Sequence, residues 1–267
     1  MRRSPTLLAL LLAACGGGGS SPPDAPVTQV PDAEAPDAEV PDAEVPDAEP
    51  PDGEPADTVP LAGFGAITGQ CGVLAEPELT GASPLWFQGD LDFMDDRYDD
   101  PEERDQLTAG GLEVLTDGNA GGSSVYSEVF AFEVLHRCEL ADLLKTENEI
   151  VYDDPMSKKA DLLVSIDGHP IGVSVTRAVT FPFGDPYTLE RATLLLDRML
   201  DDILLARAAA SEGDRWEKSM VAVLAYDAQH ASTMMEAWNG LDAATRADSL
   251  VIVFVTSGDD LFVYTDQ

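Results

Sequence analysis

The stretch GVSVTRA, residues 172–178, sets two hydroxyls, Ser174 and Thr176, two positions apart in a run rich in β-branched residues. On a strand, that spacing puts both hydroxyls on one face and turns Arg177 to the other. Neutral hydroxyls hold a hard cation far more weakly than carboxylates do, and neither carries positive charge. Other reactive side chains are sparse. His136, His169 and His230 share no helical spacing, so a zinc site is not expected. The acidic run from Asp90 to Asp105 lacks the spacing of a helix–loop–helix calcium site. NAGGSS, residues 119–124, precedes a helical pattern and could offer backbone N–H groups to an anion, although a plain flexible loop is the simpler reading. No Gly-x-Ser-x-Gly elbow or phosphate loop is present. Cys71 and Cys138 are open to two readings, a disulfide or a buried free thiol at Cys138.

The elements that must position these residues follow from periodicity. Val125, Val129, Phe132, Leu135 and Leu140 recur at helical spacing in VYSEVFAFEVLHRCELADLL. NEIVYDD, ADLLVSI and IGVSVTRAV are predicted strands, the last two joined by DGHP, whose Asp167-Gly168 pair favours a tight hairpin. Asp185-Pro186 is the predicted start of a helix running to Ala210. SMVAVLAY and SLVIVFVTS read as strands flanking a helical ASTMMEAWNGL, and LFVYT reads as a closing hairpin strand. Earlier, SPLWFQGDLDF and LTAGGLEVL are predicted short strands in a turn-rich segment, residues 61–124, packed on the edge of the main domain. The order from residue 125 is α-β-β-β-α-β-α-β. This predicts an α/β fold, a mixed β-sheet flanked by helices.

The chain begins quite differently. Arg2 and Arg3 precede the apolar run Leu7–Leu12, and LAA leads into Cys15. This run is too short to span a bilayer. The pattern resembles a bacterial lipoprotein signal, residues 1–15. The resemblance implies that Cys15 takes up diacylglycerol, that cleavage frees its amine, and that a further acyl chain follows, enough for durable attachment to a bilayer. Gly16, where an Asp would signal retention, implies the outer membrane, with the protein periplasmic or surface-exposed. Residues 16–60 read as a disordered linker, first Gly/Ser-rich and then four PDAE units with a proline at every fifth position. Like charges and recurrent proline favour an extended strut.

Charge bounds the partners. Of 50 acidic residues, 12 lie in residues 22–60, which hold no basic ones. With Arg2 and Arg3 removed in the signal, residues 61–267 keep 38 acidic against 13 basic residues, a net charge of −25. Non-specific nucleic-acid affinity rests on cationic neutralisation of phosphates, so such a surface disfavours nucleic acid. Residues 61–267 are enough for a single globular domain with a sizeable core.

The element order, with SE on the first helix, KAD opening the second strand and GVSVTR on the third, resembles the PD-(D/E)xK nuclease superfamily over residues 125–267. The resemblance implies a restriction-endonuclease-like core. It matches Glu128 to the family's helix Glu and Asp161 to its strand-two Asp, both metal-associated. Ser174 and Thr176 then fall at the family's second acidic ligand and its lysine. In that family, carboxylates hold Mg²⁺ and the lysine polarises the attacking water. Half of those charges are missing here. Rescue would need Glu147 or Glu149 for the metal and Arg177, Lys159 or Lys218 for the cation. The expectation is therefore a membrane-tethered lipoprotein whose nuclease-like domain is non-catalytic, needs no cofactor and binds an unidentified protein or small molecule. The alternative is a Mg²⁺-dependent nuclease or phosphodiesterase with a rearranged site.

Overall fold

The β-hairpin at the heart of the fold forms where DGHP predicts it. β4 (Leu162–Ile166) and β5 (His169–Ala178) pair antiparallel in the computed structural model, which describes residues 59–119 and 125–265. Asp167 and Gly168 take φ of 49° and 83°, the two positive values that a two-residue turn of this twist demands. Cys15 and the PDAE repeats lie outside the described residues.

β6 (Lys218–Ala225) and β7 (Leu250–Ser257) are near-continuous apolar runs and lie parallel to β5 in the order β5-β6-β7. Parallel strands of this kind are buried on both faces. The crossover helices α4 (Leu189–Ala209) and α5 (Ala228–Gly240) step the same way along the sheet, so both cover one face. α4 buries Ala192, Leu196, Leu200, Ile203 and Ala206 as its stripe. It begins later than Asp185-Pro186 suggested: Thr188 is the cap, its hydroxyl accepting from the Arg191 N–H.

α3 (Val125–Glu139) covers the opposite face. The sequence carried this helix on to Leu144, but Leu140 turns left-handed at φ 54° and Asp142–Thr146 becomes β3, paired with β4. NEIVYDD is accordingly no strand, contributing only a single bridge between Tyr152 and Ala210.

The segment before residue 119 adds two strands to the same sheet. β1 (Ala66–Gly69) pairs with β2 (Leu85–Asp92), and β2 runs parallel to β7. The sheet thus has seven strands in the order β1-β2-β7-β6-β5-β4-β3. A short helix α1 (Glu76–Thr80) lies between β1 and β2. LTAGGLEVL is a helix, α2 (Ala109–Asp117), and not a strand. Its glycine pair serves close packing on α3: a Cβ at Gly110 would meet the Phe132 ring at 2.4 Å, and one at Gly111 would meet Glu133 Oε1 at 2.1 Å.

LFVYT forms no hairpin either. β7 already has β6 and β2 on its two edges, so a returning strand has no edge to join. Ala243–Arg246 forms the short α6, and the chain instead closes in α7 (Leu261–Tyr264), which buries Phe262, Val263 and Tyr264 beneath α3. Cys71 and Cys138 are joined by a disulfide that ties the loop after β1 to the last turn of α3. No described helix is long and apolar enough to cross a membrane.

Candidate functional site

Glu128 sits in the first turn of α3, buried on the sheet-facing side. Its Oε1 accepts a hydrogen bond from Asn119 Nδ2 at 3.1 Å. Asn119 belongs to the stretch proposed to cradle an anion, and it faces a carboxylate; residues 120–124 lie outside the described residues. Asp161 immediately precedes β4. Its N–H donates to the Val173 carbonyl at 2.9 Å, and its Oδ2 accepts from the Val175 N–H at 2.6 Å. Burial pushes the Asp161 carboxyl up to about 8, the Val175 N–H working against it and the charges of Glu128 and Glu147 adding to it. Glu128, Asp161 and Glu147 therefore share one electrostatic neighbourhood.

Ser174 and Thr176 do not join them. Ile171 and Val173 lie in the core beneath α3, and Val175 packs against that core. Ala178, of the opposite parity, lies in the core under α4 and α5. By alternation Ser174, which is buried, and Thr176, which is half-buried, face α4 and α5, away from Glu128. The sequence reading is corrected by one residue, and a one-residue slip exchanges the faces of a strand. The positions on the Glu128 side are Val175 and Arg177. Arg177 Nη1 donates to the carbonyls of Val263 (3.4 Å) and Tyr264 (3.2 Å), which anchors α7 to this face.

The remaining candidates disperse. Glu149 Oε2 accepts from the Thr146 N–H, closing the turn after β3. Lys159 is exposed. Lys218 is buried at the start of β6, paired with Ile171 and so at the other end of β5 from Arg177; its ammonium donates to the carbonyl of Gly81, and burial lowers its pKa. The three histidines are engaged separately, His136 with the Ala141 carbonyl, His169 with Glu217 and His230 with Asp227. In the acidic run, Asp92 and Asp100 accept from nearby backbone N–H groups. Among the described residues, no group of three or more His, Cys, Asp or Glu side chains could hold a metal ion. Sequence reasoning missed Val175 as the residue beside Asp161, although the apolar parity of Ile171, Val173 and Val175 carried that signal.

Fold and site define a mixed α/β protein with a seven-stranded sheet flanked by helices and a carboxylate pair at one end of α3. No known protein-family model matches the chain. It is similar to the AAC-rich mRNA clone AAC4 protein of Dictyostelium discoideum, 37% identical over 163 residues that cover 58% of this chain. The match covers 24% of that protein, so this chain spans about a quarter of its relative's length. Among solved structures, SfsA from Pyrococcus furiosus in complex with Ca²⁺ aligns at a TM-score of 0.24 with 13% identity, over 54% of this chain and 58% of that one. A score that low carries no argument about fold or activity.

Proposed function

We propose that this protein is a lipid-anchored component of the bacterial envelope whose nuclease-like domain is a non-catalytic binding module. The observation that carries the reading is Val175. In the corrected register it stands beside Asp161, where a PD-(D/E)xK site would need its second carboxylate. An isopropyl group offers no oxygen to Mg²⁺, and one carboxylate beside it makes a poor ligand set. The net charge of −25 over residues 61–267 further disfavours a polyphosphate substrate. The partner is a protein or small molecule.

One observation favours the alternative of a metal-dependent nuclease: Arg177 shares the Glu128 face and brings a positive charge to it. The two readings separate in one assay. The full chain, incubated with single- and double-stranded DNA and RNA in Mg²⁺ or Mn²⁺, is expected to give no cleavage and no metal-induced rise in melting temperature. Cleavage that disappears in Asp161→Ala establishes the nuclease.

Anchoring is tested separately. Metabolic labelling with a fatty acid is expected to mark the wild type and to vanish in Cys15→Ser; label retained in that variant refutes lipidation at Cys15.

A further inference from the structure

At the far end of α3 from Glu128 lies an open cleft of about 720 Å³, within the range of real ligand sites. Its walls come from the last turn of α3, the loop after β1 and the β4–β5 hairpin. Val59, Leu61 and Leu140 along it are 89%, 45% and 65% exposed, aliphatic side chains left in water with Leu74 and Ile166 behind them. Its exposed charge has one sign. Asp142 and Asp167 are exposed at the rim, Glu139 lies deeper, and the C-terminus of α3 adds its negative pole. Among the described residues the one basic group in the wall, Arg137, is buried and spent: its Nε, Nη1 and Nη2 donate to the carbonyls of Leu61, Phe64 and Gly65, each at 2.8 Å. Glu139 is likewise committed, accepting from the N–H groups of Gly72, Val73 and Leu74. The wall is therefore tied in place before any ligand arrives, and the free charge belongs to the two rim aspartates.

We infer that this cleft binds an extended peptide segment of a partner protein in which Lys or Arg alternates with aliphatic residues. The aliphatic side chains cover Leu61 and Leu140, and the basic ones meet Asp142 and Asp167. The exposed lips let a chain pass through and leave again. The chain's own residues 22–58 are a poor occupant, since they bring twelve acidic residues and no basic one to an acidic rim. The inference is independent of the carboxylate pair at the other end of α3 and stands or falls separately from it.

The test is fluorescence anisotropy of the full chain with a labelled peptide of alternating Leu and Lys, against Leu-Glu and Gly-Lys comparators. Two variants remove the recognition without removing the fold. Leu140→Asn deletes the aliphatic side chain at φ 54°, a conformation Asn tolerates better than Leu. Asp142→Asn with Asp167→Asn neutralises the rim, and Asn-Gly suits the hairpin turn as well as Asp-Gly does. The Leu-Lys peptide should bind tighter than both comparators. Leu140→Asn should weaken it roughly tenfold, the loss of one contact of ordinary size, and the double rim variant at least as much, both at unchanged melting temperature. Asp197→Asn with Asp201→Asn, on the exposed side of α4, should bind as the wild type does. Equal binding of the comparators, wild-type affinity in the cleft variants, or an equal loss in the α4 control would overturn the inference. So would a long-chain alkylamine binding where the peptide does not, since the cleft would then take a small amphiphile.

Discussion

Asp161→Asn is expected to stabilise the protein at alkaline pH and to leave its stability nearly unchanged at pH 4. The Asp161 carboxyl is raised from 3.8 to about 8, chiefly by burial. A folded-state value above the unfolded one means that the folded state holds the proton more tightly. The stability linked to that proton is fully present below pH 4 and is lost as pH rises through 8. At 1.36 kcal/mol per unit, the full displacement would amount to roughly 6 kcal/mol. Asp161 is partly accessible to solvent, which screens the charge once formed, so about 3 kcal/mol is the working expectation. In a domain of this size that is roughly 6–12 °C in melting temperature. The neutral amide keeps an oxygen for the Val175 N–H and never ionises, so the variant lacks this slope. Thermal melts of both proteins from pH 4 to 9 check it: the wild-type curve should fall away from that of the variant above neutrality. Parallel curves would mean that the carboxylate is already compensated by a cation, and the prediction would fail. Added Mg²⁺ should not restore the wild type at pH 9.

Breaking the Cys71–Cys138 bond should give the second large effect. The bridge closes a loop with a sequence separation of 67, and removing such a constraint raises the entropy of the unfolded chain by about 4 kcal/mol at 25 °C. Cys71→Ala with Cys138→Ala should therefore lower the melting temperature by roughly 8–16 °C. The segment around Cys71 has other ties in the folded state. Glu139 accepts from three of its N–H groups, and Arg137 holds the carbonyls of Leu61, Phe64 and Gly65. The variant should thus keep its fold, and hydrogen exchange should quicken most at residues 61–75. Wild-type protein under reducing conditions should behave as the double variant does. An unchanged melting temperature in both would sink the prediction.

The sequence was most legible where one signal had no competitor. Asp167-Gly168 between two alternating runs gave the hairpin, and the apolar runs around Val221 and Val253 gave the buried parallel strands. It was least legible where one residue type serves two purposes. LTAGGLEVL reads as a short strand, yet it is helical, and its Gly110-Gly111 pair lets α2 approach Phe132 and Glu133. Leu140 continues the apolar period of α3 and still ends the helix, because the chain must turn there to deliver β3 to the edge beside β4. LFVYT has strand composition, but no free edge awaited it. Glu128 and Asp161 were legible as neighbours through a family resemblance. The parity of β5 was carried only by the apolar set Ile171, Val173 and Val175, and matching Ser174 and Thr176 to the family's motif pointed the other way.

The position of β7 has a consequence for how the molecule is made. Its partner β2 lies 165 residues earlier in the chain, as the pairing of Leu85 with Leu250 records. Synthesis therefore delivers the N-terminal hairpin long before the strand it must dock against. Until then β2 has one raw margin and β6 another, each a template for mispairing with a neighbouring chain. Such distant pairing also slows folding, because loop closure must precede its reward. β7 is the keystone that joins two half-built sheets, and a product cut short before Leu250 would leave both halves sticky.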